Sequence, residues 1–116
     1  MTTDILAEVE PYIAAVTGKK AENVVLLDVR GLTSIADAFI ICCGNSSRQV
    51  TALADHIVTT LKKQGIRPLS SEGLEDGRWA LLDYGHVIIH VFYESVRAFY
   101  DIEGLWSDAR RIDIAG

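Results

Sequence analysis

The chain has 116 residues, 49% of them hydrophobic and 23% charged, with a formal net charge of −5 and two cysteines. That is the size of one domain, able to bury about two-thirds of the surface its unfolded form exposes. The acidic balance argues against direct nucleic-acid recognition, which needs clustered Lys and Arg, and favours a basic partner instead. Apolar runs fall far below the ~20 residues of a membrane-spanning helix. Asp4 and Glu8 stand where a signal peptide would be basic. Cys42 and Cys43 are adjacent, so in a strand they point to opposite faces and a bridge between them would be strained. We therefore expect a reduced, cytoplasmic protein with no membrane partner.

Leu6, Val9, Ile13 and Val16 recur at helical spacing behind Thr3 as a candidate cap. Pro11 predicts either a kink there or a helix that starts near Glu10. Residues 24–29 and 38–43 are nearly all-apolar runs, which predicts strands buried on both faces. Ser46 with Gln49 fits a capping box, and Val50, Leu53, Ala54, Ile57, Val58 and Leu61 form one apolar stripe. That helix stops at Gly65 and Pro68, and residues 67–72 read as an edge strand that tolerates the proline. Residues 79–84 and 86–92 are two strand-like runs punctuated by Gly85, the pattern of a hairpin or sharp bend. Val96, Phe99 and Tyr100 suggest a short helix that Gly104 weakens, Leu105 and Trp106 a hydrophobic plug, and the tail from about 107 a loose end. The order predicts an α/β fold: a single domain over 1–116 with one mixed sheet of about five strands flanked by helices.

The hairpin carries the candidate site. Alternation puts Trp79, Leu81 and Asp83 on one face and Ala80, Leu82 and Tyr84 on the other. Asp83 resists deep burial, so the Trp79 face is expected to open to solvent, although a core Trp79 is the bland alternative. Trp and Tyr often dominate protein–protein affinity, Gly85 permits φ > 0 or a close backbone approach, and Glu72 and Asp83 add charge suited to a basic target. The candidate partner-binding residues are therefore Glu72, Gly73, Trp79, Asp83, Tyr84 and Gly85, with the tip at 83–85 taken as exposed. The Phe99-Tyr100 and Leu105-Trp106 pairs read as core packing, with a dimer contact as the alternative.

Other residue types offer less. His56, His86 and His90 fit no standard zinc spacing and read as ordinary polar positions. Cys42 and Cys43 lack a basic helper in sequence, and buried thiols are inert. Arg48 opposes the dipole of its helix, so a local carboxylate or a partner is expected to hold it, with Asp37 the local candidate. Asp37 and Ser47 themselves read as caps.

VRGLTSIADAFIICCGNSSRQVTALADHIV, the Glu72-Gly73 pair, WALLDYGHVIIHVF and RAFYDIEGLW together resemble the ribosomal silencing factor family, also called Iojap-like, in register over about 24–106. The resemblance implies a fold related to nucleotidyltransferases and a binding role. Members dock on large-subunit ribosomal protein L-fourteen, sterically prevent the small subunit from joining, and are associated with lowered translation when nutrients are scarce. They are often dimers, so a homodimer is a second partner the resemblance allows. The nucleotidyltransferase kinship makes an enzyme the rival reading, since that chemistry clamps metal between an Asp-x-Asp or Asp-x-Glu pair and a third acid. Here Asp37 is followed by Ala38 and Phe39, the later strand offers Ile88, His90 and Phe92, and no GxxxxGK[ST] loop is present. We expect a non-enzymatic translation repressor without catalytic residues, metal or cofactor. A degenerate nucleotidyltransferase-like enzyme and a generic dimeric adaptor are the alternatives.

Overall fold

The computed structural model describes residues 4–114. Thr3, the candidate cap, lies outside them; Asp4 caps the first helix by accepting from the Leu6 amide. Pro11 splits the amphipathic stretch as expected, into α1 (Ile5–Glu8) and α2 (Glu10–Thr17), with the proline in the first turn where its missing N–H costs nothing. β1 (Glu22–Asp28) and β2 (Ala38–Gly44) follow, and every position of β2 is buried. Ser46 caps α3 (Ser47–Lys62), its Oγ accepting from the Gln49 amide at 3.1 Å. β3 (Ser70–Glu72), β4 (Trp79–Asp83) and β5 (Val87–Tyr93) come next, then α4 (Glu94–Tyr100), α5 (Ile102–Leu105) and β6 (Arg110–Asp113).

The strands form one six-stranded sheet in the order β3-β4-β5-β2-β1-β6, with β2 and β5 parallel and every other pair antiparallel. β2 and β5 are central, which is why their sequences are almost continuously apolar. The α2 and α3 stripes bury one face of the sheet against Leu26, Ile40, Leu82 and Ile89. The other face, with Leu27, Phe39, Ile41 and Phe92, is covered only in part, by Val96, Ile102 and Trp106 of the α4–α5 arm.

The sixth strand corrects the reading of a loose tail. β6 pairs with β1, placing Ile112 opposite Leu26. Ile112 is its one apolar side chain, so no period-2 signal exists; the strand is held by backbone pairing to an edge that would otherwise be bare.

Candidate docking surface

Strand alternation assigns the two faces of the hairpin. Trp79, Leu81 and Asp83 are half-buried on the sparsely covered face, whereas Ala80, Leu82 and Tyr84 are buried beneath the helices. Beside β4, the inward residues of β5 and β2 supply a ladder of rings. Trp79 stacks on Phe92 at 4.9 Å between centroids and meets Tyr100 at 4.8 Å; Phe39 packs edge-to-face with His90 at 5.6 Å and with Trp106 at 5.2 Å. Aromatic pairs at such separations add about 1 kcal/mol each beyond the area they bury. The ladder thus locks β4, β5 and β2 to the arm. Where α4 leaves the sheet, Trp79, Val96, Phe99 and Tyr100 wall an open cleft of about 620 Å³, with Asp76 and Arg78 at its rim.

Glu72 is exposed and pairs across the strands with Leu81, so its carboxylate stands on the Trp79 side of the sheet edge. Gly73, at φ 77°, presses against the Trp79 carbonyl, closer than any side chain could. Asp83 accepts from the Gly85 amide at 2.8 Å, and Gly85 takes φ 90°, closing the turn between β4 and β5. Tyr84 requires a correction: it is only 7% exposed, on the opposite face, with its ring 5.3 Å from that of Tyr12 in α2. Burial pushes its hydroxyl up to about 12. A hairpin tip suggests exposure, but α2 reaches over this end of the sheet and covers the ring. Structure therefore gathers Glu72, Gly73, Trp79 and Asp83 on one side and leaves the Tyr84 side chain out.

Three residues read as core are instead surface. Phe99 is 80% exposed, Tyr100 48% and Leu105 75%: α4 and α5 are only seven and four residues long, and α4 packs mainly over β5 and β2, so these side chains project past the covered part of the sheet. Trp106 does plug against Phe39. Phe99 and Tyr100 thus join the cleft instead of the core; their place six and seven residues beyond the end of β5, on a seven-residue helix too short to bury two sides, was the available signal.

The arm is fastened by charge. Arg97 makes a two-pronged pair with Glu103 at 2.8 and 3.2 Å and donates to the backbone carbonyl of Asn23 at 2.7 Å, while Arg111 of β6 reaches Glu103 at 3.0 Å. Both Arg97 and Glu103 side chains are largely enclosed. The Arg97 hydrogen bond, ahead of a burial effect of opposite sign, holds the Glu103 carboxyl below its ordinary 4.5. Removing one partner of an enclosed pair strands the other, so Glu103→Gln should lower unfolding free energy by about 2 kcal/mol in urea titrations at neutral pH. The carboxylate's share of stability is complete above 4.5 and is lost as pH falls below it, a loss the variant should not show.

Asp37 and Arg48 form no ion pair among the described residues. They flank β2, whose seven residues hold them roughly 20 Å apart. Asp37 is exposed and its charge faces Arg30 instead. Ser46, not Ser47, is the helix cap. His56 sits 3.4 Å from the Thr60 hydroxyl, His86 is exposed near Tyr12, and His90 is buried under Trp79. Burial pushes the Cys42 thiol up to about 12, well away from the reactive thiolate. Among the described residues no group of three His, Cys, Asp or Glu is placed to hold a metal ion, and no helix is long and apolar enough to cross a membrane.

A family model described as ribosomal silencing factor during starvation matches residues 2–116. The chain belongs to the ribosomal silencing factor family. Its fold is correspondingly close to solved structures: a crystal structure of a Chromobacterium violaceum protein shares 37% identity at a TM-score of 0.84, covering 98% of this chain and 95% of that one. Another from Bacillus halodurans shares 39% identity at 0.81, covering 93% and 98%. Among silencing factors named RsfS, that of Halalkalibacterium halodurans is 45% identical over 104 residues, spanning 90% of this chain and 89% of its own. That of Bacillus subtilis is 42% identical over 101 residues, spanning 87% and 86%. The chloroplastic Iojap protein of Zea mays is 32% identical over 95 residues, which is 82% of this chain but 41% of the maize protein. Silencing factors are ribosome-associated regulators of translation, and the relatives bear regulators' names rather than enzymes'.

Proposed function

We propose that this silencing factor docks on the large ribosomal subunit through ribosomal protein L-fourteen, and that its bulk there prevents the small subunit from joining, slowing translation when nutrients are limiting. The action is steric and cytoplasmic, needing neither bond-making nor cofactor. The supporting observation is the cleft: Trp79, Phe99 and Tyr100 gather aromatic surface in one open cleft, with Glu72, Asp76 and Asp83 on the same side. Large aromatics framed by acidic groups suit a basic protein surface, supplying hot spots and steering together. An interface of ordinary size, ~800 Å² per partner, would take in the cleft and the sheet edge at β3.

Titration calorimetry with purified L-fourteen tests this. Trp79→Ala and Tyr100→Ala should each weaken binding by about 2 kcal/mol, roughly thirtyfold, with the fold preserved by circular dichroism. Tyr84→Phe, on the buried face, should bind like the parent chain. Unchanged affinity in both cleft variants would remove the cleft from the interface. Exposed Phe99 and Leu105 also offer apolar area to a second copy of the chain, a homodimer that sedimentation equilibrium of the purified protein would register.

A further inference from the structure

Among the described residues His90 is the one polar or charged side chain that is buried, and it lies against Trp79. In the β4–β5 register Leu81 faces His90 and Trp79 faces Phe92, so His90 and Trp79 are diagonal neighbours on one face. The imidazole lies parallel to Phe92, with centroids 6.0 Å apart and planes within 7°, and nearly perpendicular to Phe39, 5.6 Å away. Its one hydrogen bond among the described residues comes from the Trp79 indole, whose Nε1–H donates to Nδ1 at 3.1 Å. An acceptor at Nδ1 means that the ring is neutral with its proton on Nε2. The bond clamps the indole at its polar corner while Phe92 supports its face, so the remaining ring surface is turned into the cleft toward Tyr100.

We propose that His90 is a positioning residue for the docking surface: its Nδ1 pins the Trp79 indole in the pose that lines the cleft, so His90 sets affinity for the basic partner without touching it. This rests on the docking reading given above. Without the acceptor, a half-buried indole gains by swinging its N–H toward water, and the partner must then re-order it on binding.

Two substitutions separate the pin from simple packing. His90→Phe keeps a ring of similar size and removes the acceptor; His90→Asn offers Oδ1 near the position of Nδ1. Trp79→Phe identifies the Trp79 indole Nε1–H signal in ¹⁵N-labelled protein. In free His90→Phe that signal should move upfield and exchange faster with solvent, whereas His90→Asn should retain most of the parent position. Affinity for L-fourteen should fall about tenfold in His90→Phe and recover in His90→Asn. An unmoved indole signal in folded His90→Phe overturns the pin itself, whatever the partner. A released indole with parental affinity, where Trp79→Ala does weaken binding, overturns the link between pin and docking. Parental affinity in Trp79→Ala defeats the proposal, and together with parental affinity in Tyr100→Ala it defeats the docking reading as well; the free-protein spectra tell that failure apart from the loss of the pin.

Discussion

Gly73→Ala should cost about 3 kcal/mol of folding stability, measured as a lower urea midpoint at unchanged slope. Gly73 holds φ 77°, and a Cβ built there would land on the Trp79 carbonyl oxygen, with the Trp79 carbonyl carbon at 3.0 Å and the Ala80 Cα at 3.5 Å. Backbone of a central hairpin cannot yield as the end of a flexible side chain can. Gly85 is the internal control: its φ is +90°, yet an added Cβ would meet nothing nearer than the Leu69 Cδ1 at 3.4 Å. Gly85→Ala should therefore show only the backbone penalty, about 1 kcal/mol. The gap between the two variants isolates the close approach that seats β3, and with it Glu72, beside Trp79. Equal losses would mean that conformation alone, and not contact, selects glycine at 73.

The second large effect is acid lability traceable to one side chain. Burial pushes His90 from its ordinary 6.5 down to about 4. Between those values the unfolded chain binds a proton that the folded chain refuses, so stability rises with pH across the window and is lost as pH falls through it. The full difference is about 3 kcal/mol, of which about 2 should already be gone by pH 5. Unfolding titrations at pH 7 and pH 5 should show that loss in the parent protein, and His90→Asn should be flatter by that amount. The interval from 7 to 5 also avoids Glu103 and Asp28, whose carboxyls are held low by arginine partners and give up their share of stability only in more acid solution. A parent protein as stable at pH 5 as at pH 7 would mean that protonated His90 is accommodated without loss, contrary to its burial against Phe39, Phe92 and Trp79.

How much of this was legible depended on whether the deciding contact was local. The α3 stripe and its Ser46–Gln49 cap, the buried β2 run and the two-faced alternation of β4 are short-range patterns, and each appears where expected. Tyr84 shows the limit. Alternation placed it correctly with Ala80 and Leu82, but only the distant Tyr12 of α2 decides that this face is closed at the hairpin tip. Phe99 and Tyr100 fail in the opposite direction: they continue a helical apolar stripe from Val96, but seven residues of helix end before the sheet can cover them. The Asp37–Arg48 pairing ignored the length of the strand between them. β6 had no pattern to find, since one isoleucine and a row of backbone groups make the strand. His90 lay in plain view as a polar residue in an apolar run, but its partner Trp79 is eleven positions away and becomes a neighbour only through the hairpin register.

The proposal of steric silencing is tested most directly by subunit joining itself. Purified small and large subunits, mixed with saturating protein and sedimented through sucrose gradients, should remain apart, and the protein should travel with the large subunit. Trp79→Ala at the same concentration should restore the joined peak. Full joining in the presence of large subunits already loaded with the protein would contradict the account.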